Sequence, residues 1–163
     1  MLPPSLRRFL RPEAGFFLLV WGIFQLVFQE RAFYDPGSLW HVKVGELILD
    51  HGFMHTDPFT YTFAGHTWIP QQWGAEVLMA LAHRLGELDT VLLGFTTLVA
   101  GLYTWVFARM RRAGMHPLLA GVLTGGCLFA GAFHYFARPH MTTIAFMGWT
   151  MACLVEFDRG RAK

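Results

Sequence analysis

Apolar and polar residues form long, separate blocks along this chain. Four stretches contain no Asp, Glu, Lys or Arg, and they are residues 14–28, 90–107, 117–136 and 141–155. Because a backbone inside lipid must satisfy its hydrogen bonds internally, each stretch predicts a helix. A hydrocarbon core of about 30 Å needs roughly 20 apolar residues. With flanking residues, the predicted spans cover 12–29, 90–107, 117–136 and 141–157.

The sequence thus predicts an all-α integral membrane protein, with one membrane domain over residues 1–163 and about four transmembrane helices. The basic residues before the first apolar stretch also suit a secretory signal peptide. The small residues of a cleavage site are missing, however, because Gln29, Glu30 and Arg31 follow. The first span is therefore expected to remain uncleaved.

Residues 30–88 form a long polar segment with local structure of its own. Asp35 before Pro36 predicts a helix start, and Gly52 predicts its end. Trp40, Val44 and Leu47 are spaced along one side of this helix. The alternation over residues 59–63 predicts a short strand that forms a hairpin with residues 67–69.

Residues 73–85 predict an amphipathic helix with Gln72, Glu76 and His83 on one side. At about 13 residues it is too short to span a bilayer, so we expect it at the membrane surface. The segment 30–88 then becomes an outer loop that carries surface helices.

The basic residues predict the topology. They cluster in three groups that the positive-inside rule places in the cytoplasm: Arg7, Arg8 and Arg11; Arg109, Arg111 and Arg112; Arg159, Arg161 and Lys163. Four spans satisfy all three groups with both termini cytoplasmic, as in a multi-pass protein of the inner (plasma) membrane of a cell. If residues 73–85 crossed the bilayer, the second group would lie outside.

Composition supports a membrane protein and excludes other classes. Hydrophobic residues make up 54% of the chain and charged residues 15%, whereas soluble domains carry about 25% charged residues. The net charge of +2 argues against a nucleic-acid partner. Cys127 and Cys153 lie in apolar stretches without ligand spacing, so we expect buried thiols rather than a disulfide or a metal site.

The predicted outer face gathers polar residues that suit phosphate binding and proton transfer, namely Asp35, His41, Asp57, Glu76, Arg138 and His140. An arginine presents a fixed fork of donors to a phosphate, and a carboxylate near a membrane can accept a hydroxyl proton. Each residue also has a structural alternative. The two aspartates precede prolines and can cap a helix or a turn, and Arg138 can extend to lipid headgroups. His41 can simply face the interface, and Glu76 and His140 can be solvated.

Five segments follow one another in an order that resembles a known family. They are Asp35-Pro36-Gly37-Ser38-Leu39-Trp40-His41, Asp57-Pro58-Phe59-Thr60, Gly65-His66-Thr67-Trp68, Gln72-Trp73-Gly74-Ala75-Glu76 and Arg138-Pro139-His140. This order resembles bacterial membrane proteins of the GT-C glycosyltransferase fold, which are relatives of protein mannosyltransferases and aminoarabinose transferases. The resemblance implies sugar transfer from a polyprenyl-phosphate donor at the outer membrane face.

By this resemblance Asp35 matches the acid that acts as base or helps to bind a metal, which leaves a divalent metal open as a cofactor. Arg138 is the candidate for the lipid phosphate. The chain departs from the family at Gly37, where relatives often carry a second acid, and in its number of spans. We therefore expect the N-terminal part of such an enzyme, completed by further C-terminal helices or a partner subunit.

Two other functions compete with glycosyl transfer. One is a non-catalytic membrane module that binds lipid or a partner through the aromatic-rich loop 30–88. The other is a segment of a transporter or channel, which should carry ionisable residues within its spans. Only His134 approaches that requirement, so we rank this function last.

Overall fold

A computed structural model describes residues 11–160, and helices dominate this part of the chain. The helices are α1 (Pro12–Leu26), α2 (Gln29–Ala32), α3 (Pro36–His51), α4 (Trp73–Arg112), α5 (Pro117–Ala130), a 3₁₀ turn (Ala132–His134) and α6 (His140–Asp158). The prediction of an all-α chain is confirmed.

Helix α4 bends sharply between the predicted surface helix and the apolar stretch that follows it. Gly86 and Glu87 have non-helical backbone angles, and Glu87 has a φ of 54°. A side chain disfavours this left-handed region, so the surrounding packing must hold the bend in place. The predicted end of the surface helix near residue 85 is therefore correct.

Helix α4 is the centre of the fold, since α1, α3, α5 and α6 all pack on it. Helix α1 runs antiparallel to its second half. The rings of Phe16 and Phe107 stack 4.7 Å apart at one end, and Phe24 meets Phe95 edge-on at the other. Next to the second contact the Gln25 amide donates to the Thr96 hydroxyl over 2.8 Å. A polar bond of this kind fixes the rotation of one apolar helix against another.

Charged side chains collect at the two ends of the apolar helices. At one end Arg109 pairs with Glu156 at 2.8 Å, and Arg111 lies 3.7 Å from Glu13. At the other end Arg138 pairs with Asp35. The four apolar segments thus alternate in direction. Arg7, Arg8, Arg161 and Lys163, which the topology prediction also uses, lie outside the described residues.

One described helix, α4, is long and apolar enough by length and composition to cross a bilayer. Helices α1 and α5 are apolar but shorter, at 15 and 14 residues. The structure thus provides a helix that fits a membrane, whereas four spans and the positions of the termini remain predictions.

The predicted strand over residues 59–63 is wrong. Residues 67–69 do pair with an earlier segment, but the antiparallel bridge joins Thr67 to Thr56. Asp57 turns the chain immediately afterwards by accepting the backbone N–H groups of Phe59 and Thr60. The alternation of aromatic and threonine residues therefore belongs to a turn and not to a strand.

Helix α3 confirms the predicted boundaries but buries a different face. The Asp35 carboxylate accepts the Gly37 N–H at 3.1 Å, and Gly52 follows the last turn with a φ of 80°. The buried residues of α3 are Ser38, Val42, Val44, Gly45 and Ile48. Val44 is buried as expected, whereas Trp40 is 42% exposed and packs on the outer loop.

Candidate functional site

Asp35 and Arg138 form an ion pair between α3 and the turn before α6. The Ala137 N–H donates to the Ala32 carbonyl at 2.9 Å and so fixes that turn beside α2. Asp35 has two roles, because one carboxylate oxygen caps α3 and the other meets the guanidinium. The helix cap foreseen as an alternative function of Asp35 is therefore present together with the ion pair.

Gly37 lies directly against Arg138. A Cβ atom at this position would overlap the Arg138 guanidinium. An acidic side chain at residue 37 would fit only if the guanidinium, the flexible end of the Arg138 side chain, moved aside. The Arg138 guanidinium therefore lies directly against the first turn of α3.

His41 and Glu76 form a second pair in the interface between α3 and α4. The His41 Nδ1 lies 2.8 Å from Glu76 Oε1, and the Glu76 side chain is only 7% exposed. Glu76 Oε2 is buried and has no hydrogen-bond partner among residues 11–160. Burial of a carboxylate is costly unless it is paired, so His41 is the group that makes this position tolerable. Neither residue is a solvated surface residue.

Two further ionic contacts join the same helices closer to the end of α3. His83 Nδ1 lies 3.0 Å from Glu46 Oε1, and Arg84 pairs with Asp50. These side chains are more exposed than the His41 and Glu76 pair. Polar side chains therefore pair along the whole α3–α4 interface, and they are most buried at the end that carries His41.

Asp57 and His140 hold turns rather than joining either pair. Asp57 accepts from Thr60 and Phe59 within its own loop. His140 Nε2 donates to the His134 carbonyl at 3.0 Å and closes the turn before α6. The substrate-binding roles predicted for these two residues gain no support from their contacts.

The hydrogen bond from the Thr60 hydroxyl, followed by that from the Phe59 N–H, lowers the pKa of the Asp57 carboxyl below its ordinary value of 3.8. A carboxyl with a lowered pKa stabilises the fold fully above its ordinary value, and this contribution is lost as the pH falls through the lowered one. We expect Thr60→Val to raise the Asp57 pKa toward 3.8, measured by NMR titration. Thr62→Val, in the same loop, is the control and should leave it unchanged. An equal Asp57 pKa in wild type and Thr60→Val would contradict this assignment.

An apolar cavity of about 290 Å³ lies in the bend of α4, with Arg138 in its wall. The lining residues are Ala75, Leu78, Met79, Ala82, Val91, Gly94, Phe95, Leu98, Ala137, Arg138, Pro139, Met141 and Thr142. The sequence patterns described above did not predict this cavity. The sequence feature that could have indicated the cavity is the helical spacing of small and apolar residues on both sides of Gly86.

Three aromatic rings cluster on the outer loop. Trp40, Phe59 and Trp68 have ring centres 5.7 to 5.8 Å apart. The Trp68 indole N–H is buried without a partner in the described part of the chain. Within residues 11–160, no three His, Cys, Asp or Glu side chains are grouped to hold a metal ion.

Comparison with known proteins returns no match among family models, curated proteins or solved structures. The structure itself shows a helical protein with a bent, membrane-compatible central helix. Its site combines an Asp–Arg ion pair with an apolar cavity.

Proposed function

We propose that this chain acts in the transfer of a sugar from a polyprenyl-phosphate donor, as a GT-C-like glycosyltransferase or the N-terminal part of one. The observation that carries the proposal is the Asp35–Arg138 ion pair, in which Arg138 also lines the 290 Å³ apolar cavity. A lipid phosphate combines an anion with an apolar chain, and this site offers a cation beside apolar walls.

In the proposed reaction the lipid phosphate binds Arg138 and releases the Asp35 carboxylate from its ion pair. Asp35 then takes the proton of an acceptor hydroxyl, whose oxygen forms a bond to the anomeric carbon. The bond from that carbon to the phosphate oxygen breaks, and the lipid phosphate leaves with the electron pair. Arg138 stabilises the negative charge on the leaving phosphate.

The membrane setting is part of the same proposal. Large apolar side chains on the outside of α1, α5 and α6 are more than half exposed, among them Leu26, Leu118, Phe129, Phe146 and Phe157. Exposed apolar surface on this scale is typical of contact with a lipid phase. We infer four spans, with Asp35 and Arg138 at the outer face and the Arg109–Glu156 pair at the cytoplasmic face.

The test is Asp35→Asn in the longest natural form of the protein. Asparagine keeps the helix cap, so the variant removes the base without removing α3. Membranes holding the protein are incubated with polyprenyl phosphates that carry different radiolabelled sugars. We expect transfer to fall by about 100-fold or more, whereas Asp50→Asn, at the other end of α3, should transfer normally. Unchanged transfer by Asp35→Asn would overturn the catalytic assignment.

A second candidate function is a non-catalytic module that binds lipid or a partner through the outer loop. The aromatic cluster favours it, together with Tyr61, whose side chain is 99% exposed. In that case Asp35→Asn is silent, and Trp40→Ala or Trp68→Ala weakens association with vesicles or with the partner.

A further inference from the structure

The cavity beside Arg138 lies next to a second one farther along α4. The second cavity has a volume of about 540 Å³ and lies between α4 and α6. Its lining residues are Gly94, Thr97, Leu98, Gly101, Leu102, Trp105, Ala145 and Trp149. Gly94 and Leu98 line both cavities. The two cavities therefore lie side by side along α4, and together we call them the α4–α6 groove.

We propose that the α4–α6 groove binds the hydrocarbon chain of a single lipid whose phosphate lies at Arg138. The proposal rests on the proposed function only for the identity of this lipid as a polyprenyl phosphate. The inference adds the path of the hydrocarbon chain along the protein and the residues that select this chain.

The charge at the head of the groove points to an anionic lipid. A guanidinium carries five N–H donors, and the Asp35 carboxylate engages Nη2. The Arg138 Nε is buried and has no hydrogen-bond partner within residues 11–160. The Arg138 side chain is nevertheless 36% exposed, so the guanidinium can offer N–H donors to an anion at the place where the groove begins.

The walls of the groove suit a chain without polar groups. Among the described residues, its walls include no charged side chain beyond Arg138. The Thr97 hydroxyl is already engaged by the Trp21 indole N–H at 3.2 Å. From Gly94 to Trp105, α4 advances about 16 Å, roughly half of a hydrocarbon core. A chain attached to a phosphate at Arg138 can thus run into the bilayer along α4.

Glycines on α4 give the groove its width. Gly94, Thr97 and Gly101 follow one another at helical spacing on one side, and the position of a Cβ on Gly101 is free of described atoms within 4 Å. A large side chain at residue 101 should fill the groove without displacing α6. Gly101→Leu therefore tests directly whether the α4–α6 groove binds the hydrocarbon chain.

The experiment measures binding of polyprenyl phosphate to the purified full chain by native mass spectrometry in detergent. Isopentenyl phosphate serves as a short-chain probe that reaches only the cavity beside Arg138. Gly101→Leu should weaken polyprenyl phosphate by about tenfold or more, the loss expected when two methylene groups lose their apolar contact, and leave the short probe unchanged. Arg138→Gln should weaken both phosphates.

The matched control is Gly125→Leu on α5, another helical glycine whose Cβ position has no described atom within 4 Å. It should bind as wild type. Ala145→Leu narrows the groove from the α6 side and should reproduce the effect of Gly101→Leu, which guards against misfolding of one variant. Wild-type binding of polyprenyl phosphate by both groove variants would overturn the proposal.

A second copy of this chain is the rival occupant of the groove. In that case Gly101→Leu converts a dimer into a monomer in the same mass spectra and leaves lipid affinity unchanged, which also overturns the proposal. The binding experiment does not measure sugar transfer. If the protein proves to have no transfer activity, the proposed binding of the hydrocarbon chain in the α4–α6 groove is unaffected. If the hydrocarbon chain does not bind there, the transfer assay of Asp35→Asn remains a valid test of the proposed function.

Discussion

Replacing His41 with alanine is expected to lower the free energy of unfolding by about 2 to 4 kcal/mol. His41 provides the hydrogen bond to Glu76 Oε1, and Glu76 Oε2 has no partner within the described residues. The substitution therefore leaves a carboxyl group unsatisfied in a site that is 7% exposed. Unfolding in detergent, followed by tryptophan fluorescence against denaturant, measures the loss.

The matched control is His83→Ala, which removes the same kind of contact from the same pair of helices. The His83 side chain is 32% exposed, so we expect a loss of about 1 kcal/mol or less. Joint replacement of His41 and Glu76 with leucine should restore most of the stability, because no polar group then remains buried. If His41→Ala and His83→Ala lower the free energy of unfolding equally, the burial of Glu76 does not increase the cost of losing its partner.

Gly45→Ala is expected to destabilise the α3–α4 interface by about 1 to 3 kcal/mol, the usual cost of overpacking. A Cβ at residue 45 would overlap the Glu76 carbonyl and come within 2.8 Å of the Ala80 Cβ. Neither group is a flexible side-chain end, so the helices must move apart. Alanine's better helix propensity, about 1 kcal/mol, offsets only part of this cost.

Gly74→Ala provides the comparison, since it adds the same methyl group to α4 where no described atom lies within 4 Å. It should be neutral or stabilising in the same unfolding measurement. Movement of α3 also carries Asp35 away from Arg138, so Gly45→Ala should strengthen binding of isopentenyl phosphate, because the carboxylate then competes less for the guanidinium. A Gly45→Ala protein as stable as wild type would disprove the close contact.

Signals local in sequence predicted the helices well. Asp35, Pro36 and Gly52 define α3 because capping depends on the residues at the helix ends themselves. The same reasoning failed for residues 59–63, where alternation alone predicted a strand. Alternation does not show that a partner strand exists, and the side chain of Asp57 supplies backbone hydrogen bonds that favour a turn.

The candidate site could be predicted only as a set of residues. Asp35 and Arg138 were both singled out, but residues so far apart in the chain meet only through the packing of α2 and α3 against the turn before α6. Glu76 was expected on a polar side of its helix, and that side turned out to face α3. The cavity depends on the bend of α4 at Glu87. The sequence around Glu87 contains no turn motif from which the angle of this bend could be predicted.

The central position of α4 affects how the protein is made. Helices α1 and α3 precede α4 in the chain, yet both pack principally against it. Translation proceeds from the N-terminus, so the first third of the nascent chain leaves the ribosome before its packing partner exists. The apolar side of α1 and the buried face of α3 must wait for the synthesis of α4. A late helix thus serves as the template on which the earlier ones assemble.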